Sequence, residues 1–279
     1  MSPPRTAGRS PASPPLGQGA GLLAADEPPP FEQVNASGRC STLLVCDHAC
    51  NRIPRSLANL GLQAEQRARH IAWDAGAAEV ARGLGARLDA TLVLGNWSRL
   101  VIDLNRSPAS PESIPEISDN LRIPGNQGLT AADRARRLSA LFEPYHGAIA
   151  ALLQARAALP IQLIGIHSFT PRLGGQLRPW HIGIACGADR RLADPLIRAL
   201  RCHRDLQVGD NRPYDIDHEI DYTLPTHARN RGIPHVMIEI RQDQLLSAAD
   251  IDAWVVRLAD AIRCASAVNT GFLPRSHGK

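Results

Sequence analysis

The chain has 279 residues, of which 44% are hydrophobic, 21% charged and 4% aromatic, and its 31 Lys+Arg against 27 Asp+Glu give a formal net charge of +4. That length buries a core without disulfides or a structural metal, and scattered arginines with few aromatics argue against a nucleic-acid partner. No apolar run approaches the roughly 18 residues of a membrane span, and the start MSPPRTAGRSPASPP lacks the apolar centre of a secretory signal. A cytoplasmic protein with no membrane partner and reduced cysteines is therefore expected.

In chain order, residues 1–36 are rich in Pro and Gly and read as a disordered tail, ahead of one domain over 37–279. TLLVC (42–46) reads as a buried strand that ends at the polar cluster DHACNR. GAAEVARGLGARLD (76–89) has helical spacing, and TLVLG (91–95) and RLVIDL (99–104) read as strands joined by a tight NWS link. Residues 107–129, with four prolines, form a long loop of the kind that borders a site. Thr130 and Asp133 resemble a capping box that opens a helix running to Ala158, bent or interrupted at Pro144. IQLIGI (161–166), HIGIAC (181–186) and HVMIEI (235–240) are further strands, with a helix near 190–203 and a last one from Ser247, where S-x-x-D again looks like a cap. Strands alternating with helices predict an α/β layered domain around a mixed, mostly parallel sheet. In such sheets ligands bind beyond the carboxyl ends of the strands.

Reactive side chains fall at those ends: Asp47 and His48 after TLLVC, His167 after IQLIGI, and Glu239 inside HVMIEI. Two neutral imidazoles from separate strands suit Zn²⁺, which takes nitrogen and carboxylate ligands and keeps a position for water at catalytic sites. The alternative is that each is an ordinary hydrogen-bonded histidine. Glu239 lies between Ile238 and Ile240, so a central strand would carry an acid into a half-buried position. It is either a general base with a raised pKa or one half of an ion pair with Arg241 or Arg99. RLVIDLNR (99–106) gathers Arg99, Asp103, Asn105 and Arg106 at one strand end. The Asn-Arg pair suits an anionic substrate, because a planar guanidinium matches a carboxylate; a local Asp103–Arg salt bridge is the other reading. There is no G-x-S-x-G or P-loop, and the G-x-G at 83–85 lies in a helical pattern without a preceding strand, which rules out dinucleotide binding.

The order of motifs resembles the N-formylglutamate amidohydrolase family, itself similar to the zinc carboxypeptidases and aspartoacylases. The matching segments are CDHACNRIP (46–54), WDAGAAEVA (73–81), SRLVIDLNRSP (98–108), GIHSFTP (165–171), RPWHIGI (178–184) and the stretch 209–243, which together span almost everything after residue 40. The resemblance implies a three-layer α/β/α sandwich and a metal-dependent hydrolysis of the amide in a small N-acyl amino acid, N-formyl-L-glutamate first among candidates. It implies zinc on His48 and His167, an α-carboxylate held by Asn105 and Arg106, Glu239 activating water, and Arg99 steadying the oxyanion. His227 and Tyr222 or Tyr214 would reach in from the 209–230 loop to donate a proton. The carboxypeptidase pattern has a Glu three residues after the first His, where this chain has Asn51. Asp74, an acid at a helix start, is the preferred third metal ligand, with Asn51 as the fallback. Other readings of the same fold are a carboxypeptidase-like enzyme, another N-acyl amino acid deacylase, or a non-catalytic anion-binding relative.

Overall fold

The apolar runs of the sequence lie side by side in one sheet of a computed structural model that describes residues 21–270. The strands are β1 Phe31–Val34, β2 Thr42–Cys46, β3 Thr91–Gly95, the short pair β4 Ile117–Ser118 and β5 Leu121–Arg122, β6 Gln162–Phe169, the short pair β7 Arg172–Leu173 and β8 Gln176–Leu177, β9 Ile182–Ala185, β10 Val208–Asp210 and β11 His235–Arg241. The helices are α1 Ala64–Arg67, α2 Ala77–Leu88, α3 Ala131–Arg137, α4 Glu143–Ala155, α5 Ala193–Arg201, α6 Thr223–His227 and α7 Ala248–Thr270. None is long and apolar enough to cross a membrane.

Seven strands pair in the order β1-β3-β2-β6-β11-β9-β10. The centre, β3-β2-β6-β11, is parallel, while β1 joins β3 and β9 joins β11 antiparallel. Successive side chains of a strand point to opposite faces, and both faces are covered. Leu44, Ile164 and Ile238 pack with Val80 and Leu84 of α2 and Leu258 and Ile262 of α7. Leu43, Val45 and Leu163 pack on the other side with Leu141, Tyr145 and Ile149. Each such buried aliphatic side chain contributes about 1.5–3 kcal/mol. The architecture is the expected α/β/α sandwich with a mixed sheet.

Three local expectations differ from what the chain does. Of the segment read as a tail, residues 1–20 lie outside the described residues, whereas Leu22 is buried and Phe31–Val34 pair with Leu92–Gly95. An edge strand is held by backbone hydrogen bonds, so a polar composition does not prevent it. RLVIDL (99–104) is not a strand. Its apolar side chains are buried, but its backbone bonds run elsewhere: Arg99 N donates to Ala72 O at 3.2 Å and Asp103 N to Ser113 O at 2.7 Å. Its carbonyls are met by side chains, with Asn126 Nδ2 donating to Leu100 O at 2.9 Å, Arg137 Nη1 to Val101 O at 2.9 Å, and His146 Nε2 2.9 Å from Leu104 O. Buried backbone groups must find partners, and here a buried arginine and asparagine supply them. Finally, the helix expected to break at Pro144 loosens earlier, into a wide turn over Leu138–Phe142, which leaves Pro144 in the first turn of α4, where its missing N–H forfeits no bond.

Candidate active site

The parallel centre of the sheet delivers its polar residues to one place. β2 ends at Cys46, so Asp47 and His48 emerge at its carboxyl end, and β6 carries His167. β11 places Glu239 in register beside His167. Asp74 reaches the same point from the turn before α2, tethered by its N–H to His48 O at 3.0 Å. That turn passes through Gly76 at φ +80°, where a Cβ would also stand 2.7 Å from Leu245.

Asp74 Oδ2 lies 2.8 Å from His167 Nδ1 and 3.3 Å from His48 Nδ1. One ligand atom from each of the three residues falls within 4.8 Å of the others, close enough to share a metal ion. The far nitrogens also face carboxylates: His48 Nε2 is 2.8 Å from Asp103 Oδ1, and His167 Nε2 is 3.3 Å from Asp47 Oδ2. Asp47 is fixed in turn by the Tyr145 hydroxyl at 2.7 Å and the Thr223 hydroxyl at 2.9 Å. Asp103 accepts from Arg99 Nε at 2.9 Å and Nη2 at 2.6 Å. A carboxylate behind a ligating imidazole fixes its tautomer and sharpens its basicity.

The electrostatics favour a cation here. Asp47, Asp74 and Asp103 are buried around one guanidinium, that of Arg99, and the imidazoles of His48 and His167, so three carboxylates face a single permanent positive charge. Burial works to raise the Asp47 carboxyl, but His167 beside it brings it down to about 2. Burial works the same way on Asp74 and Asp103, and the imidazoles and Arg99 hold both low. Burial tends to lower the His167 imidazole, but Asp47 and Asp74 hold it well above its ordinary value. Carboxylates that pull protons onto imidazoles serve a divalent ion equally well once those protons leave. Two neutral imidazoles and a carboxylate are also a donor set that zinc accepts. Glu239 behaves in the opposite way: burial pushes its carboxyl up to about 7, with only partial relief from His167.

A cleft of about 350 Å³ opens over these groups and is lined by His48, Asp74, His167 and Glu239 together with Arg99, Asn105, Arg106 and Tyr214. The other expected residues lie elsewhere. Tyr222 and His227 do not line the cleft. Tyr222 packs on Phe142 and His146, and His227 stacks on His146 with Nε2 2.9 Å from its Nδ1. Their position follows from α6, which is anchored through Tyr222 N and Thr223 N to Asn105 Oδ1 at 3.0 Å each. Asn51 stays out of the cluster, donating to Arg67 O at 3.1 Å. Asn105 and Arg106 each donate to Asp221 Oδ1 at 3.0 Å, so an incoming anion meets a clamp that already holds an acid. The Asp103–Arg salt bridge is real but deeply buried, and it backs His48 rather than capping a surface strand. Asp47 and Asp103 sit beside expected residues in sequence, yet no spacing marks them as partners of the imidazoles.

Residues 40–246 match the family model described as N-formylglutamate amidohydrolase. Among solved structures, a gene product of Agrobacterium tumefaciens is 37% identical with a TM-score of 0.86, over 89% of this chain and 99% of that one. An N-formylglutamate amidohydrolase from Ralstonia eutropha JMP134 shares the fold at a TM-score of 0.69 and 18% identity, over 87% of this chain and 99% of that one. Comparison with curated proteins gave no match. With the family model covering most of the length, this chain belongs to the N-formylglutamate amidohydrolase family.

Proposed function

We propose that this protein is a cytoplasmic, zinc-dependent enzyme that hydrolyses the amide of small N-acyl amino acids, with N-formyl-L-glutamate giving L-glutamate and formate as the leading reaction. The observation that carries this reading is the convergence of His48, Asp74 and His167 in a buried, acid-rich pocket whose next-door strand holds a carboxyl group raised to about 7. Those three residues would hold the ion. When bound, zinc would polarise the acyl carbonyl and make its water acidic.

The chain's own groups do the rest. Glu239, poised near neutrality, takes a proton from the attacking water and passes it to the departing amine. Arg99 uses Nε and Nη2 on Asp103, so its Nη1, 3.7 Å from Asp74, is the donor left to meet negative charge on the acyl oxygen. Asn105 and Arg106 orient the α-carboxylate, in competition with Asp221. Tyr214, on the cleft wall, takes the supporting proton-donor part, while Tyr222 and His227 pack against Phe142 and His146 away from the cleft lining.

The test is formate release from N-formyl-L-glutamate by the purified, zinc-supplied chain, run beside acetylated and dipeptide substrates. Faster cleavage of a dipeptide would favour the carboxypeptidase-like alternative, and less than about one bound metal per chain with no turnover would favour the anion-binding one.

A further inference from the structure

The cleft does not end at Arg99. His70, Arg99, Arg106 and Glu112 line it and also line a second groove of about 360 Å³. The first space, of about 350 Å³, is by itself large enough for a molecule as small as N-formylglutamate, so the formyl reaction makes no use of the second.

The charged groups of the groove already have partners. Asp103 lies 2.6 Å from Arg99, Glu112 lies 3.6 Å from Arg106, and Asp119 is paired with Arg69. What the groove keeps for a ligand is mainly the apolar surface of Ile71, Pro115, Ile117 and Leu173. Ile117 is 62% exposed and Leu173 42%, and they stand on different hairpins, β4–β5 and β7–β8. Each hairpin closes on a two-residue turn with positive φ, Asp119 (43°) and Asn120 (59°) in one, Gly174 (56°) and Gly175 (80°) in the other. Such turns match the twist of the paired strands and so hold the hairpins in shape. Exposed aliphatic residues scattered singly are ordinary, but two that line one groove from separate hairpins form a patch.

Arg99 decides which part of a substrate enters. The groove is built around it: Leu100 and Asp103 follow it in the chain, and its N–H donates to Ala72 O, next to Ile71. Phe169, Tyr214 and Met237 line the cleft but not the groove, which leaves that end to the amino-acid part. With Arg99 Nη1 on the acyl oxygen, the substituent of the acyl carbon continues past the guanidinium. We infer that the groove is an acyl-chain subsite, and that the substrate class of this site extends to N-acyl amino acids with an aliphatic chain of several carbons. This rests on the hydrolase reading above. The chemistry is unchanged: the oxygen of water bonds to the acyl carbon, the C–N bond breaks, and Glu239 carries the proton of that water to the amine, releasing the carboxylic acid and the amino acid.

The experiment measures kcat/KM for N-formyl-, N-acetyl-, N-butyryl- and N-hexanoyl-L-glutamate in the zinc-supplied chain. The expected result is a rise of about threefold per methylene from acetyl to hexanoyl; a flat or falling series overturns the inference. In Ile117→Ser/Leu173→Ser the hexanoyl-to-formyl ratio should fall about tenfold or more, and a ratio that does not move overturns the assignment of the chain to this groove. Should the double variant not fold, Leu173→Ser alone is read by the same ratio. Titration calorimetry with N-hexyl- against N-methyl-L-glutamate, which have no amide to cleave, gives a readout free of catalysis. Tighter binding of the hexyl compound that is lost in the variant supports the subsite, and equal binding of the two by the unmodified chain overturns it. If none of the acyl substrates is hydrolysed, the hydrolase reading fails and the calorimetric comparison decides the groove alone.

Discussion

The two walls of the cleft are built on different principles. One is the carboxyl edge of β2, β6 and β11, where ladder hydrogen bonds fix the backbone, His167 and Glu239 take their places from strand register, and His48 follows just past the end of β2. The other, from Arg99 through Asn126, has only the short β4–β5 pair as strand, and its buried carbonyls at Leu100, Val101 and Leu104 are met one by one by Asn126, Arg137 and His146. The first wall tolerates the loss of a single side chain because the ladder remains. In the second wall a side chain is itself the support, so its loss releases the backbone.

That contrast can be broken experimentally. On the strand wall, Glu239→Gln should lower turnover by about 10²–10⁴-fold while metal content and melting temperature stay near those of the parent; loss of bound zinc in that variant would contradict the role given to Glu239. On the irregular wall, Arg137→Met removes donors to Val101 O, Gly125 O and Asn126 Oδ1 and should destabilise by about 3 kcal/mol, measured by urea unfolding, with kcat/KM falling alongside. An Arg137→Met protein as stable as its parent would show that the 99–126 segment has other support. Asp47→Asn keeps shape but weakens the acceptor behind His167, so zinc affinity should drop about 10- to 100-fold in a competition titration, with stability little changed.

The smallest effect is one of pH. Burial lowers the His146 imidazole to about 4 and His227 to about 3. The folded state therefore holds both neutral where the unfolded chain, with imidazoles near about 6.5, binds protons. Their contribution to stability is present above about pH 6.5 and is lost as pH falls towards 4 and then 3. Denaturant unfolding at neutral and at mildly acidic pH should show this loss, and His227→Gln should reduce it; an unchanged pH slope in the variant would rule out the pair as its source.

The same contrast explains what could be read in advance. TLLVC, IQLIGI and HVMIEI are apolar, β-branched and bounded by polar clusters, so both the strands and the residues at their ends were accessible to pattern. RLVIDL has the same texture, yet an apolar run reports burial and says nothing of where the backbone bonds go. Its partners, Asn126, Arg137 and His146, lie tens of residues away and leave no periodic trace. Asp74 was legible as an acid at a helix start, whereas Asp47 and Asp103 act through an imidazole and are marked only by the company they keep. Tyr222 and His227 sit in a polar stretch whose spacing does not reveal which side faces the cleft, and α6 turns both towards Phe142 and His146.

β1 has a bearing on how this protein behaves in solution. It covers the outer edge of β3, which would otherwise present unpaired amide and carbonyl groups to any neighbouring copy. The family match begins at residue 40, after β1. A chain trimmed to that limit would keep every candidate ligand, and would gain a sticky flank prone to strand-by-strand self-association.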